Sequence, residues 1–250
     1  MKKPTVIILA AGEGKRMKSS KAKVLHEILD MPMVMYVVKT AYKVAGNDVI
    51  MVVGNQADAV RKVVSGQFDV TFSLQKEQLG TGHAVSCAIP YLPENSEQVI
   101  ILCGDVPLLS PDTVNRLLDD HIKARRDVTI LATEVENPEG YGRILMDHNL
   151  NVTGIVEESD ATDEQKKIKI INTGSYCFNK EILFDLLQKI EPNNVQGEFY
   201  LTDIVEISFK ARKTIGAVVA KNAEEFVGVN TLQDLHFAEE IMRKRLRIMS

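Results

Sequence analysis

A buried apolar strand that runs into a glycine turn constrains this chain more than any other feature of its sequence. Residues Val6 to Ala11 are apolar or small, and Gly12 and Gly14 follow at once, with a series of cations after them. Such a run is typical of a parallel strand buried on both faces, and open α/β sheets bind ligands at the turns that follow such strands. The turn is therefore a candidate phosphate-binding loop.

The spacing of this turn fits neither of two familiar phosphate-binding patterns. A P-loop requires a lysine and a hydroxyl residue directly after its second glycine, and a dinucleotide fingerprint requires a third glycine where this chain has Met17. What remains is a glycine turn followed by cations between Lys15 and Lys23, which suits a polyanion held by backbone N–H groups and side chains together. A tight turn with solvated lysines stays open as an alternative.

Composition indicates one globular domain. The chain has 250 residues, a net charge of −4, and 45% hydrophobic and 26% charged residues. This balance allows a sizeable core and speaks against disorder and against a nucleic-acid-binding surface. Because no apolar run reaches the roughly 20 residues that a membrane span needs, and the N-terminus has no cleavable-signal pattern, we expect a cytoplasmic protein without a membrane or nucleic-acid partner.

Strand and helix patterns alternate through the first half of the chain and give way to strands and turns from Asp127 onward. The alternation predicts a Rossmann-like α/β fold, with a mostly parallel sheet and helices on both faces. The later strands predict an added antiparallel region that forms a second wall of the substrate pocket. The predicted strands after the first are 48–53, 70–74, 98–103, 128–135, 143–146, 152–156, 170–178 and 214–220; the predicted helices are 34–45, 55–64 (capped by Asn55), 82–89, 110–125 (capped by Ser110), 179–190, 202–210 and 232 onward.

Two positions in the first half have side chains suited to ligand chemistry. The Gln75 amide offers a donor and an acceptor, as a nucleobase edge requires, and it opens a glycine-marked loop before a helix. Asp105 follows Gly104 at the tip of the strand 98–103, where a carboxylate is well placed to bind a divalent cation. An ordinary strand-to-helix turn at Gln75 and a turn-capping role for Asp105 stay open.

Several motifs spread along the chain resemble those of the sugar-1-phosphate nucleotidyltransferases. Among these, the chain most resembles the uridylyltransferase domains of bacterial bifunctional N-acetylglucosamine-1-phosphate uridyltransferases that also carry a glucosamine-1-phosphate acetyltransferase. The resemblance covers nearly all of the chain. The motifs are LAAGEGKRM at 9–17, KVL at 23–25, QLGTGHA at 78–84, GDVPL at 104–108, GYGRI at 140–144, GIVE at 154–157, ESDATD at 158–163, INTG at 171–174 and GVN at 228–230.

This resemblance implies a reaction and its ligands. UTP and N-acetylglucosamine 1-phosphate would give UDP-N-acetylglucosamine and pyrophosphate, with Mg²⁺ as cofactor and direct attack on the α-phosphorus. The chain would then be a single domain over 1–250, with a nucleotide-binding half (about 1–126), a sugar-binding half (127–230) and a terminal helix (231–250).

The resemblance also implies roles for individual residues. Arg16 would hold the departing pyrophosphate and Lys23 the transferring phosphates, so that both would be catalytic together with Asp105. Asp105 and Asn230 would bind Mg²⁺. The other implied contacts are Leu9, Ala10, Ala11, Gly12, Gly14, Gln75, Gln78, Gly80, Thr81 and Gly104 to the nucleotide, with Gln75 and Gly80 at the uracil, and Gly140, Glu157, Asn172 and Asn230 to the sugar.

The chain also departs from the family pattern. Ala22 precedes Lys23 where proline is usual, which predicts a less rigid approach of the lysine, and Cys103 stands where an aromatic residue is common. The hexapeptide repeats that carry the acetyltransferase and form the trimer in the bifunctional enzymes do not occur in these 250 residues. We therefore expect this chain to lack acetyl transfer and to be a monomer or a weak oligomer. Whether it is a stand-alone enzyme or a piece of a longer one stays open.

Two other functions stay open at the level of sequence. A pyrophosphorylase for a different nucleotide or sugar would keep the glycine loop and Asp105 but differ around Gln75 and Glu157. A binding module without catalysis would be expected to lose Arg16, Lys23 or the metal-binding pair, and this chain retains them.

Overall fold

The fold is an α/β sandwich built on one large sheet. We describe it from a computed structural model, in which residues 3–249 are described, so that the ends of the predicted single domain and terminal helix lie outside. The strands are β1 (Thr5–Ala10), β2 (Glu27–Ile28), β3 (Met31–Pro32), β4 (Val49–Val53), β5 (Thr71–Leu74), β6 (Gln98–Cys103), β7 (Val128–Glu134), β8 (Arg143–Met146), β9 (Val152–Val156), β10 (Ile170–Asn179) and β11 (Ile215–Ala220). The helices are α1 (Met33–Ala45), α2 (Ala57–Ser65), α3 (Thr81–Ala88), α4 (Pro111–Lys123), α5 (Asp163–Lys166), α6 (Lys180–Leu187), α7 (Asp203–Lys210) and α8 (Leu232–Met249).

The sheet has the order β11-β7-β10-β6-β1-β4-β5, and β8 and β9 extend it from β10, giving nine strands within residues 3–249. Strand β1 pairs in parallel with both β4 and β6, and β4 with β5, which confirms the predicted parallel α/β fold. The antiparallel strands, which the sequence predicted as a region added to this sheet, are instead partly inside it. Strand β10 runs antiparallel between β6 and β7, so it is a central strand.

Helices cover both faces of this sheet because its central strands are apolar on both sides. In β1, Val6 and Ile8 pack into one core cluster with residues of α1, α2 and α4. Ile7 points the opposite way and packs with residues of α3, α6 and α7. All three side chains have no exposed surface. This two-sided burial fixes β1 rigidly, since alternate side chains of a strand face opposite layers.

Helix starts depend on tertiary contacts as well as on local sequence. The prediction of Ser110 as the N-cap of α4 is confirmed, because its Oγ accepts a hydrogen bond from the Thr113 amide at 3.2 Å. The prediction of Asn55 as the cap of α2 is wrong. That helix begins at Ala57 with Gln56 as its N-cap residue at φ +51°, and the Gln56 side chain is held by a different segment, described below.

A bulge in β10 brings this strand against the end of β6. The pairing of β10 with β7 changes register between Asn172 and Ser175, and Gly174 within this interval has φ +75°. A Cβ atom on Gly174 would lie 2.7 Å from Cys103 Sγ, and the Cys103 thiol donates to the Gly174 carbonyl at 3.4 Å. The close approach therefore requires glycine for both its backbone conformation and its missing side chain.

No helix within residues 3–249 combines the length and the apolar character that crossing a bilayer requires.

We predict that Gly174→Ala lowers the free energy of unfolding by about 3 kcal/mol, from left-handed backbone strain and overpacking together. Gly197→Ala is the matched control, because Gly197 has φ +66° and open space around its Cβ position; its loss should be about 1 kcal/mol. Urea denaturation measures both. The double variant Cys103→Ala/Gly174→Ala should lose less unfolding free energy than the two single variants lose together. Equal losses in Gly174→Ala and Gly197→Ala would contradict the overpacking.

Candidate active site

A cleft of about 440 Å³ opens at the carboxyl ends of β1 and β6. The register of these strands aligns Leu9 with Cys103, so the loop after β1 and the turn after β6 begin side by side. Strands β4 and β5 continue the sheet on one side of β1 and β6 lies on the other, so the cleft is at a topological switch point, where α/β sheets bind ligands. The lining comprises Leu9, Ala10, Ala11, Gly12, Glu13, Gly14, Lys15, Arg16, Lys23, Val24, Gln75, Gln78, Gly80, Thr81, Ala84, Cys103, Asp105, Glu198 and Asn230.

The glycine turn holds Lys23 against the loop. Gly14 has φ +66°, and a Cβ atom there would lie 2.6 Å from the Cβ of Lys23. Lys23 begins a short 3-10 turn whose other residues, Val24 and Leu25, are buried, so its backbone is anchored in the core. Arg16 lies on a similar turn that is anchored by the buried Met17. The loop thus presents its cations from fixed backbone positions.

The two cations meet the two predicted metal ligands in the cleft. Lys23 Nζ donates to Asp105 Oδ2 and, at 3.2 Å, to Asn230 Oδ1. Arg16 Nη2 donates to the same Asn230 oxygen at 2.9 Å. One ammonium group therefore contacts oxygens of both Asp105 and Asn230, which shows that these oxygens converge on a single point although the residues are far apart in sequence.

Backbone contacts fix the position of Asn230. Its neighbour Val229 has no exposed surface and donates from its amide to the Asp105 carbonyl at 2.9 Å. The amides of Asn230 and Thr231 both donate to Asp234 Oδ2 in the first turn of α8, at 3.0 and 2.8 Å. The start of α8 is thereby tied to the turn after β6.

Gln56 supports the segment before Lys23. The Ala22 amide donates to Gln56 Oε1 at 3.3 Å, and Gln56 Nε2 donates to the Ser20 carbonyl at 2.5 Å. A proline at position 22 would have no N–H to donate. The expected looseness of the lysine at a non-proline position is therefore offset by a hydrogen bond that only a non-proline residue can make.

Gln75 lines the cleft after β5, on the other side of β1 from Asp105, and is only 4% exposed. Its side-chain Nε2 donates to the Gly80 carbonyl at 3.1 Å, and its backbone carbonyl accepts from Gln78 Nε2 at 3.4 Å. Gly80 has φ +113°, and a Cβ atom there would lie 2.6 Å from the Phe199 carbonyl. The hydroxyl of Thr81 accepts from the Leu201 amide at 3.0 Å. The loop that contains Gln75 and Gly80 is thus closed by the segment at 199–201.

Among the described residues, the predicted sugar contacts Gly140, Glu157 and Asn172 lie outside the lining of the cleft, grouped around the turn at 140–142. The Asn172 amide donates to the Gly142 carbonyl at 2.8 Å. A Cβ atom on Gly142 would lie 3.2 Å from Glu157 Oε2. Burial raises the pKa of Glu157, although the Thr202 hydroxyl donates to it at 3.1 Å.

Cys103 lies between the cleft and this second group. It lines the cleft, and burial of its thiol, together with the charges of Asp105 and Glu157, raises the pKa of that thiol to about 12. The thiol is therefore protonated at neutral pH and is a poor nucleophile. We regard it as a packing contact between the two parts of the site.

Gly104, which the family pattern assigns to nucleotide contact, also lies outside the described lining. Its amide donates to the Leu9 carbonyl at 2.9 Å, and a Cβ atom there would lie 3.0 Å from the same oxygen. Its observed contacts are thus with the end of β1.

The sequence predicted no role for Arg143, which lies directly after the turn at 140–142. It is 1% exposed. Its guanidinium donates to the Tyr141 carbonyl and to Glu158, and at 3.3 Å to the Lys166 carbonyl. Glu158 in turn accepts from the Gly140 amide at 3.3 Å. A strand that only packs into the core would be expected to be fully apolar. The arginine beside two glycines in GYGRI was therefore the sequence signal that this residue has another role. The cleft lining itself contains six residues for which the sequence predicted no role: Glu13, Lys15, Val24, Ala84, Cys103 and Glu198.

A parallel α/β sheet with a glycine-lined cleft at its switch point, lined by three cations and three carboxylates, is typical of nucleotide-binding proteins. Comparison with known proteins names the class. Residues 5–239 match the family model described as nucleotidyl transferase. The chain therefore belongs to the nucleotidyl transferase family.

Within this family the chain is similar to the proteins named bifunctional protein GlmU, which confirms the resemblance inferred from the motifs. It is 44% identical to the protein of Caldicellulosiruptor saccharolyticus over 98% of the chain and 53% of the relative. It is 46% identical to that of Syntrophotalea carbinolica over 96% of the chain and 51% of the relative. The chain spans about half the length of the curated relatives it matches.

Solved structures share the fold at low sequence identity. A UDP-glucose pyrophosphorylase complexed with UDP-glucose superposes with a TM-score of 0.77 at 19% identity, covering 98% of this chain and all of that one. A putative glucose-1-phosphate thymidylyltransferase from Bacillus anthracis gives a TM-score of 0.74 at 19% identity, covering 96% and 95% of the two chains. At this identity the likeness concerns the fold alone.

We predict that Asp203→Asn stabilises the protein more at pH 7.5 than at pH 4.5. Burial, followed by the charges of Glu206 and Glu157, raises the pKa of Asp203 to about 6, above its value in an unfolded chain. Stability from its protonated form is therefore present below the unfolded pKa and is lost as pH rises through about 6. The asparagine variant does not titrate here, so its advantage should grow with pH.

Urea denaturation at the two pH values measures this difference. Asp58→Asn is the matched control, because Asp58 also lies in the first turn of a helix but its side chain is 99% exposed. It should give no such gain. An Asp203→Asn advantage that stays constant or shrinks between the two pH values would contradict the prediction.

Proposed function

We propose that this chain transfers a uridylyl group from UTP to N-acetylglucosamine 1-phosphate, giving UDP-N-acetylglucosamine and pyrophosphate. The observation that carries the proposal is the convergence of Lys23, Asp105, Asn230 and Arg16 in one cleft that Gln75 also lines, after a strand on the other side of β1 from Asp105. The cleft thus offers separate places for a polyphosphate and a base. Membership of the nucleotidyl transferase family supports the reaction class. The motif resemblance supports this pair of substrates.

The reaction needs no protein nucleophile. A phosphate oxygen of the sugar phosphate already carries negative charge, so it attacks the α-phosphorus of UTP while the bond from that phosphorus to the leaving pyrophosphate breaks. Positioning and charge stabilisation then account for catalysis. Arg16 would hold the pyrophosphate and Lys23 the transferring phosphate. Backbone N–H groups from Leu9 to Gly14 would bind the remaining phosphate oxygens, as glycine turns do in other phosphate sites.

The donor set in the cleft fits Mg²⁺. Asp105 and Asn230 offer one charged and one neutral oxygen that already converge on a cation, the Lys23 ammonium. Mg²⁺ commonly takes few protein ligands and keeps waters and substrate phosphates around it. Among the described residues, no group of three or more acidic, histidine or cysteine side chains could enclose a metal. When bound, Mg²⁺ would supply positive charge that offsets the negative charge built up as two anionic phosphates approach each other.

On this proposal, residues of about 1–126 bind the nucleotide and those of 127–230 bind the sugar phosphate. Gly140, Glu157 and Asn172 would contact the amino sugar, with Asn230 at the junction of the two halves. The half-buried carboxylate of Glu157 accepts from Thr202 and has further acceptor capacity for sugar hydroxyls. Arg143 would act indirectly, by holding the turn at 140–142 in place.

A pyrophosphate-release assay over a panel of substrates tests the proposal. UTP, CTP, dTTP and ATP are each combined with N-acetylglucosamine, glucosamine, glucose and galactose 1-phosphates. We expect the highest kcat/KM for UTP with N-acetylglucosamine 1-phosphate. A preference for another pair would identify a related pyrophosphorylase, and binding of UTP without pyrophosphate release from any pair would indicate a binding module.

We predict that Arg16→Ala and Lys23→Ala each lower kcat by roughly 10²–10³, the usual cost of losing one preorganised charge-stabilising donor. Lys21→Ala is the matched control, because Lys21 lies in the same loop region but is exposed and pairs with Glu27 at 2.9 Å. Its turnover should stay close to that of the wild type. Steady-state kinetics, with thermal denaturation to check folding, measures all three, and near-normal turnover of Arg16→Ala or Lys23→Ala would remove that residue from the mechanism.

A second prediction concerns Mg²⁺ and needs no turnover. Because Lys23 contacts both predicted ligand oxygens, the nucleotide-free protein should bind Mg²⁺ weakly, and Mg²⁺ should raise the affinity for UTP. Calorimetric titration with Mg²⁺ alone, and with UTP in the presence of Mg²⁺ or EDTA, measures both.

Substitution at the ligands sharpens this measurement. The Mg²⁺-dependent gain in UTP affinity should fall strongly in Asp105→Asn and less in Asn230→Ala, which removes no charge. Tight stoichiometric binding of Mg²⁺ without nucleotide, or an unchanged gain in Asp105→Asn, would show that the ion binds elsewhere.

A further inference from the structure

The hydrogen bonds around Gln75 determine which way its amide points. Its side-chain nitrogen, Nε2, lies 3.1 Å from the Gly80 carbonyl oxygen and 3.1 Å from His83 Nδ1. A carbonyl oxygen can only accept a hydrogen bond, so the amide atom that faces Gly80 must be the nitrogen. With the opposite orientation, two oxygens would face each other at hydrogen-bond distance inside a site where Gln75 is 4% exposed.

The same nitrogen then determines the tautomer of His83. Because Gln75 Nε2 is a donor, His83 Nδ1 must accept from it and carries no proton. The ring proton is on Nε2, which lies 3.8 Å from Cys87 Sγ one turn further along α3. The first turn of this helix is anchored, since the Gly82 amide donates to the Phe199 carbonyl at 2.8 Å. His83 is thus a fixed acceptor on a fixed helix.

These contacts use both hydrogens of the Gln75 side-chain nitrogen. One goes to Gly80 and the other to His83. The amide therefore does not offer a base both its donor and its acceptor, and the prediction from the sequence that it would do so is wrong. The part left for a ligand is the carbonyl oxygen, Oε1, on a residue that lines the cleft. An oxygen there accepts from an N–H group on the base edge. Uracil has such a group at N3, whereas cytosine has a bare nitrogen at that position.

We infer that His83 is a positioning residue, which holds the Gln75 amide with its oxygen toward the base and thereby favours uracil over cytosine. This inference rests on the proposed function, because it assumes that a pyrimidine nucleotide binds at Gln75. Without an acceptor at His83, one buried N–H of Gln75 is left without its partner and the Gly80 carbonyl alone holds the amide orientation. Turning the amide to present its nitrogen to the N3 atom of cytosine then costs less than in the wild type.

Three variants and a kinetic comparison test this role. His83→Leu removes the acceptor, His83→Asn places an amide oxygen near the former position of Nδ1, and Cys87→Ala removes the other contact of the ring while keeping the acceptor. KM and kcat are measured for UTP and for the sugar phosphate, and kcat/KM is compared between UTP and CTP. Thermal denaturation checks folding, and if His83→Leu does not fold, His83→Phe carries the same test.

For His83→Leu we expect the KM for UTP to rise about tenfold and the preference for UTP over CTP to fall by a similar factor, with the KM for sugar phosphate nearly unchanged. His83→Asn should recover most of both losses, and Cys87→Ala should stay within about twofold of wild type.

An unchanged preference for UTP in a folded His83→Leu or His83→Phe variant would overturn the inference, as would equal rises in both KM values. Failure of the proposed function is a different result, since the wild type itself would then release no pyrophosphate from UTP with any of the sugar phosphates.

Discussion

The parallel pairing of β1 with β6 is the constraint on which the site depends. It aligns Leu9 with Cys103 and brings the Gly104 amide within 2.9 Å of the Leu9 carbonyl, so the two strands end together. The loop that follows β1 carries cations, and the turn that follows β6 carries Asp105. Their contact through Lys23 is therefore a consequence of strand register. A slip of one residue would turn Asp105 away from the loop.

Elements from the second half of the chain complete a site that the first half begins. The turn before α8 brings Asn230 to Lys23, while the bulge at Gly174 packs against Cys103 at the cleft. The segment around Phe199 closes over Gly80. Arg143 holds the separate turn at 140–142 from a buried position. The cleft therefore depends on contacts between residues from 71 to 207 positions apart, which makes its geometry a property of the whole fold.

Local pattern predicted much of this fold because its strands are strongly apolar and its first half alternates regularly. It also indicated the ligand-binding turn and Asp105, whose signals lie within a few residues. It could not predict that β10 lies between β6 and β7, because partner choice among apolar strands depends on distant contacts. The same reason explains the wrong cap at Asn55, the support of Ala22 by Gln56 and the pairing of Gln75 with His83. Each of these joins side chains whose relation appears only once the loops are folded.

Central to the proposed function is the direct reaction of two anionic substrates in this cleft. Single-turnover reactions with UTP labelled at either the α- or the γ-phosphate, together with N-acetylglucosamine 1-phosphate, test it most directly. We expect the α-label in UDP-N-acetylglucosamine and the γ-label in pyrophosphate, with no label bound covalently to the protein. Label from the γ-phosphate in the sugar product, or a labelled protein that forms before product, would contradict direct attack on the α-phosphorus.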